Sequence, residues 1–101
     1  MATPFENYTV HYNSGGLVEA LIQLFASDGQ FIGNIVFHKD NESLPANTVT
    51  NGAHNLHYKI SRFRDVLQIL QYEKPLKVNI NNGIADLMAA GSEPVGEQEG
   101  V

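Results

Sequence analysis

The stretch Leu17-Val-Glu-Ala-Leu-Ile-Gln-Leu-Phe-Ala-Ser-Asp-Gly-Gln-Phe-Ile-Gly-Asn-Ile-Val-Phe-His38 decides the fold. Two apolar runs flank Ser27-Asp28-Gly29-Gln30. Asp-Gly at the centre predicts a two-residue hairpin turn, because both residues tolerate positive φ. Pairing the runs about that turn sets Ala26 opposite Phe31, Leu24 opposite Gly33, Ile22 opposite Ile35 and Ala20 opposite Phe37. That face is wholly apolar and belongs to the core. The other face pairs Phe25 with Ile32 and Leu21 with Val36, interrupted by Gln23 with Asn34 and Glu19 with His38. It is too mixed for a solvent face and calls for a cover.

Upstream, Tyr8, Val10 and Tyr12 alternate with Thr9, His11 and Asn13, the period of a half-buried strand, and Asn13-Ser14-Gly15-Gly16 turns the chain. Downstream, residues 39–55 are rich in turn-forming types and read as a long loop. Leu56, Tyr58 and Ile60 then alternate as a short strand that runs into Ser61, a favoured helix N-cap. Phe63, Val66, Leu67 and Leu70 form one stripe of a helical period, and Pro75 removes the backbone donor that would let the helix continue. Asn82-Gly83 predicts a second hairpin. It sets Ile80 against Ala85, Val78 against Leu87 and Leu76 against Ala89, with Asn81 and Ile84, Asn79 and Asp86, and Lys77 and Met88 on the reverse side.

The expected architecture is α+β: a curved, mostly antiparallel β-sheet of about six strands, in the order β-β-β-β-α-β-β, with one helix packed on one face. Residues 1–91 form a single domain and residues 92–101 an acidic, Gly- and Pro-containing flexible tail. At 101 residues, 43% of them hydrophobic, the chain holds one core, and with no cysteine it has no disulfide to reinforce it. The absence of cysteine, of a secretory pattern at the start and of any long apolar run points to the cytoplasm and away from the membrane.

Charge is the most informative feature for function. The formal net charge is −5, yet five of the six Lys and Arg residues, Lys59, Arg62, Arg64, Lys74 and Lys77, fall within residues 57–77. Arg62 and Arg64 stand in the first turn of the expected helix, where the dipole already presents positive charge. His57, Lys59, Ser61, Arg62 and Arg64 therefore form a candidate recognition corner for the carboxylate or phosphate of a partner protein or small ligand. A bland reading stands beside it, in which Arg62 pairs with Asp65 along the helix and the bases are a solvated face.

Chemistry is harder to find. His54 and His57 form H-x-x-H, but they straddle a loop and a strand and lack a third ligand at useful spacing, so neither a metal nor another cofactor is expected. Phosphate-loop, dinucleotide, G-x-S-x-G and H-E-x-x-H patterns are missing, and a cysteine nucleophile is impossible, so a non-enzymatic role is expected.

The mixed sheet face supplies the second expectation, a homodimer through Leu17, Leu21, Phe25, Ile32 and Val36, with the 39–55 loop as the alternative cover. The sequence thus reads as a small interaction or ligand-binding module. One alternative is a nucleic-acid-associated regulator that stacks single strands on Tyr8, Tyr12, Tyr58 and Tyr72, a role the acidic balance opposes. Another is a small acidic inhibitor or immunity-type protein that masks a basic partner.

Overall fold

A computed structural model describes residues 2–16, 18–73 and 76–89. The strands are β1 (Thr3–Phe5), β2 (Asn7–Tyr12), β3 (Val18–Phe25), β4 (Phe31–His38), β5 (Thr48–Thr50) and β6 (Ala53–Lys59), followed after the helix by β7 (Leu76–Asn81) and β8 (Ile84–Ala89). Between β6 and β7 lie a single 3-10 turn (Ile60–Arg62) and the helix α1 (Phe63–Tyr72). The α+β class is as expected, but the strands divide into two sheets. One is five-stranded in the order β2-β3-β4-β6-β5, and the other is three-stranded in the order β1-β7-β8. Two short strands absent from the sequence reading account for the extra count: β1 flanks β7, and β5 arises inside the stretch read as a loop.

The central hairpin has the expected core register by a different route. Ala26 N–H donates to the Gln30 carbonyl at 2.8 Å and Gly29 N–H to the Ala26 carbonyl at 2.9 Å. Gly29 alone of the loop residues takes a positive φ, 91°, so the turn is a three-residue loop and not a two-residue Asp-Gly turn. That shortens the offset by one residue. A bulge at Ile32 restores it, so that Phe25 faces Phe31 while Leu24 still faces Gly33, Ile22 faces Ile35 and Ala20 faces Phe37. The bulge turns Ile32 into the core, at 7% exposure. A second shift at Glu19 sets Val18 against His38, so the expected Glu19–His38 pair does not form.

The terminal hairpin has all six expected pairs about Asn82 and Gly83, whose φ values are 52° and 77°. Asn51 and Gly52, at 52° and 80°, repeat that conformation between β5 and β6. Next to this hairpin β6 lies parallel to β4. Its close approach explains Gly33: a Cβ there would run into the backbone carbonyl of His54.

The core lies between the inner face of the five-stranded sheet, the helix and the three-stranded sheet. Ala20, Ile22, Leu24, Ile35, Phe37 and Leu56 supply the first, Val66 and Leu70 the helix, and Phe5, Leu76 and Val78 the second sheet. Phe63 meets Phe37 edge-on at 5.0 Å, whereas Leu67, expected in the same stripe, stays half-buried outside that cluster. The helix ends at Glu73, whose backbone is extended and whose N–H bonds the Ile69 carbonyl. Pro75, the expected terminator, and the acidic tail lie outside the described residues. Among the described residues no helix is long and apolar enough to cross a membrane.

Candidate interaction surface

The basic corner expected at the helix start is taken apart by its own chain. No side chain caps the 3-10 turn or α1, and Ser61 is not an N-cap. Its backbone N–H donates instead to Asp40 Oδ1 at 3.1 Å, so an internal carboxylate occupies the place proposed for an external anion. Lys59 Nζ donates to the carbonyls of Asp40 and Glu42, each at 2.7 Å, and is spent on holding that loop. Arg62 and Arg64 are exposed but serve different surroundings. Arg62 acts on Tyr58, whose phenol burial pushes up, with Arg62 opposing and Asp86 adding to the rise. Arg64 borders a shallow hollow with Tyr12, Phe63 and Leu67.

His57, the fifth corner residue, sits elsewhere, on the outer face of the five-stranded sheet. Residues opposite one another in register share a face, so the pairing lays out that face in rows. One row runs Thr9, Gln23, Asn34, Asn55 and Thr48 across all five strands. It is a ladder of uncharged hydrogen-bonding groups, in which Thr9 Oγ1 donates to Gln23 Oε1 and Asn34 Nδ2 to Asn55 Oδ1, both at 3.2 Å. The next row is His11, Leu21, Val36 and His57, and beyond it stand Val18, His38 and Lys59. On the ladder's other side Phe25 and Phe31 meet edge-on at 5.8 Å. None of these side chains is a carboxylate.

Of the five residues proposed for self-association, Leu21, Phe25 and Val36 lie here, half-buried and outside the core cluster. Ile32 is excluded by the bulge that buries it, and Leu17 lies outside the described residues. Within the alternative cover, residues 39–55, β5 widens the sheet sideways by pairing with β6. Asn47 fastens that side, accepting the His57 N–H at 2.7 Å and donating to the Gly83 carbonyl at 2.9 Å.

Within the face, His38 Nε2 and His57 Nδ1 are 2.9 Å apart and the ring centres 5.1 Å apart, so the rings meet end to end. One ring carries the proton between them and the other accepts it. Burial holds His57 below the usual imidazole range, and His38 lowers it further. His54 and His57 point to opposite sides of β6, so H-x-x-H brings no chelate together. His54 is buried on the inner face and its Nδ1 has no hydrogen-bond partner. Among the described residues no group of three or more His, Cys, Asp or Glu side chains is placed to hold a metal ion.

Sequence reasoning missed the His38–His57 pair because it depends on the parallel pairing of β4 with β6, which joins residues 19 apart and leaves no local pattern. It also missed β5, although Asn51-Gly52 carries the same turn signal as Asn82-Gly83. Comparison with protein-family models, with curated proteins and with solved structures finds no match, so geometry alone bears on function.

Proposed function

We propose that the protein is a non-enzymatic interaction module that binds another protein through the outer face of its five-stranded sheet. The observation that carries this reading is the amide and hydroxyl ladder from Thr9 to Thr48, bordered by Leu21 and Val36 on one side and Phe25 and Phe31 on the other. Such a surface matches the make-up of protein interfaces, where aromatic and aliphatic groups sit among paired uncharged polar groups and charges are depleted. A small anion has less to hold here, since the nearest ammonium, on Lys59, already donates to two carbonyls. Single-stranded nucleic acid is also less well served: Tyr8, Tyr12 and Tyr58 lie on the helix side of the sheet, Tyr12 against Phe63 and Tyr58 stacked on Phe37. The lack of cysteine suits a reducing compartment such as the cytoplasm.

The test compares three forms of the full chain as bait in native extract: wild type, Leu21→Glu with Val36→Glu, and Arg62→Ala with Arg64→Ala. Circular dichroism first establishes that all three fold. The face variant loses the proteins that wild type captures, by about ten-fold or more, while the arginine variant retains them. The reverse pattern overturns the reading in favour of the basic corner. Steeply salt-dependent binding of labelled oligonucleotides to the wild type overturns it in favour of nucleic acid.

A further inference from the structure

The five-stranded sheet has two unlike edges. One is β5, three residues long, beside which Asn47 accepts the next amide of β6. The other is β2, six residues long, and among the described residues nothing pairs with its outer side. Natural edges are blunted by Lys, Pro, inward charge or brevity. Asn7-Tyr-Thr-Val-His-Tyr12 contains no Lys, Arg, Asp, Glu or Pro. On the sheet's inner side Val10 is 41% and Tyr12 66% exposed, large apolar groups at an uncovered rim.

The direction of the backbone groups follows from one bond. Asn13 N–H donates to the Glu19 carbonyl at 2.8 Å, in step with the pairing of Asn7 with Phe25, Thr9 with Gln23 and His11 with Leu21. In an antiparallel ladder bonded pairs alternate, so these residues turn their N–H and C=O toward β3, while Tyr8, Val10 and Tyr12 turn theirs to the open edge. Glu6, just outside β2, bonds the Phe25 carbonyl out of that step, where the chain comes in from β1.

We propose that two copies of this chain join along β2, antiparallel about a two-fold axis at Val10, making one continuous ten-stranded sheet. The register meets two demands together, because amide direction and side-chain face alternate with the same period along the strand. It sets Val10 against its own copy and Tyr8 against Tyr12, so the outward-turned amides meet one another and each copy supplies both donors and acceptors. It also keeps like faces together: Tyr8, Val10 and Tyr12 form one apolar and aromatic row on the inner side, and Thr9 meets His11 on the outer side. Net charge of −5 opposes self-association in general, and this strand carries no charge to repel a copy. The surface is distinct from Leu21 and Val36, so a dimer joined here leaves both outer faces free for another partner.

Sedimentation equilibrium of the full chain up to about 200 μM tests this, with the monomer at 11.1 kDa as reference. Wild type sediments at twice the monomer mass. Val10→Lys sets like charges on the axis, and Val10→Pro removes an N–H that faces outward, so the bonds to β3 survive both. Both weaken the dimer by about ten-fold or more while circular dichroism stays that of the wild type. Leu21→Glu remains a dimer. A wild type that stays monomeric, a dimer indifferent to both Val10 variants, or a dimer lost through Leu21→Glu and kept by Val10→Lys overturns the proposal. Because the capture experiment reads Leu21 and Val36 and this one reads Val10, either proposal can fail without the other.

Discussion

The two faces of the five-stranded sheet are built from alternate residues of the same strands and have opposite characters. On the inner face Ile22, Ile35, Phe37 and Leu56 are fully buried, and the side chains interlock with the helix and the second sheet. On the outer face Leu21, Gln23, Asn34, Val36 and His57 shield one another only in part, and polar groups bond along the sheet surface. Stability resides in the first, and the second is the face on which the proposed binding rests. A face that contributes little to folding is free to be shaped by what it touches.

Substitutions on the two sides should therefore differ most at neighbouring positions. Phe37→Ala, which empties the space between Tyr58 and Phe63, is expected to cost about 3–5 kcal/mol in urea denaturation. Val36→Ala, one residue away, is expected to cost less than about 1 kcal/mol. Equal losses at the two positions would mean that something covers the outer face. Gly33→Ala comes next, at about 1–3 kcal/mol, because the added methyl meets the His54 backbone and cannot be relieved by a side-chain rotation. Asn47→Ala should cost about 1–2 kcal/mol, since it strands the His57 amide and frees the Gly83 carbonyl, and amide exchange should quicken at His57.

The smallest effect is set by pH. The fold holds His57 below its ordinary value of 6.5, so the unfolded chain takes up that proton more readily than the folded one. This contribution to stability is complete above that pH and is lost as pH falls below it. Denaturation midpoints at about pH 7.5 and about pH 5.5 should diverge in the wild type and draw together in His57→Gln. A variant with an unchanged pH dependence would show that another group is responsible.

How much of this was legible depended on whether the deciding interaction was local. The Asn82-Gly83 hairpin was read pair by pair, because a two-residue turn with both φ values positive leaves those residues few alternatives. The central hairpin came out with the right core partners and the wrong turn, since the three-residue loop and the bulge at Ile32 offset each other. Asn51-Gly52 was overlooked because the strand before it, Thr48–Thr50, is too short to show a period. The internal partners of the basic corner are non-local: the carboxylate that occupies the Ser61 amide belongs to Asp40, 21 residues away. Likewise, that β4 and β6 run parallel is set by the packing of the whole sheet, and with it went the His38–His57 contact and the true composition of the outer face.

The bulge has a consequence for how the chain can change its length. Ile32 is an extra residue between the pairs Phe25–Phe31 and Leu24–Gly33, as Glu19 is between Val18–His38 and Ala20–Phe37. Excising Ile32 would straighten β4 and leave the other partners where they are, at the cost of one buried side chain, whereas Glu19 is extra only toward β4 and toward β2 accepts the Asn13 N–H. Excising Asn34 or Gln23 would instead carry the rest of its strand onto the wrong side of the sheet. Single-residue deletions across β3 and β4 should then be tolerated at Ile32 and ruinous at positions such as Gln23 and Asn34.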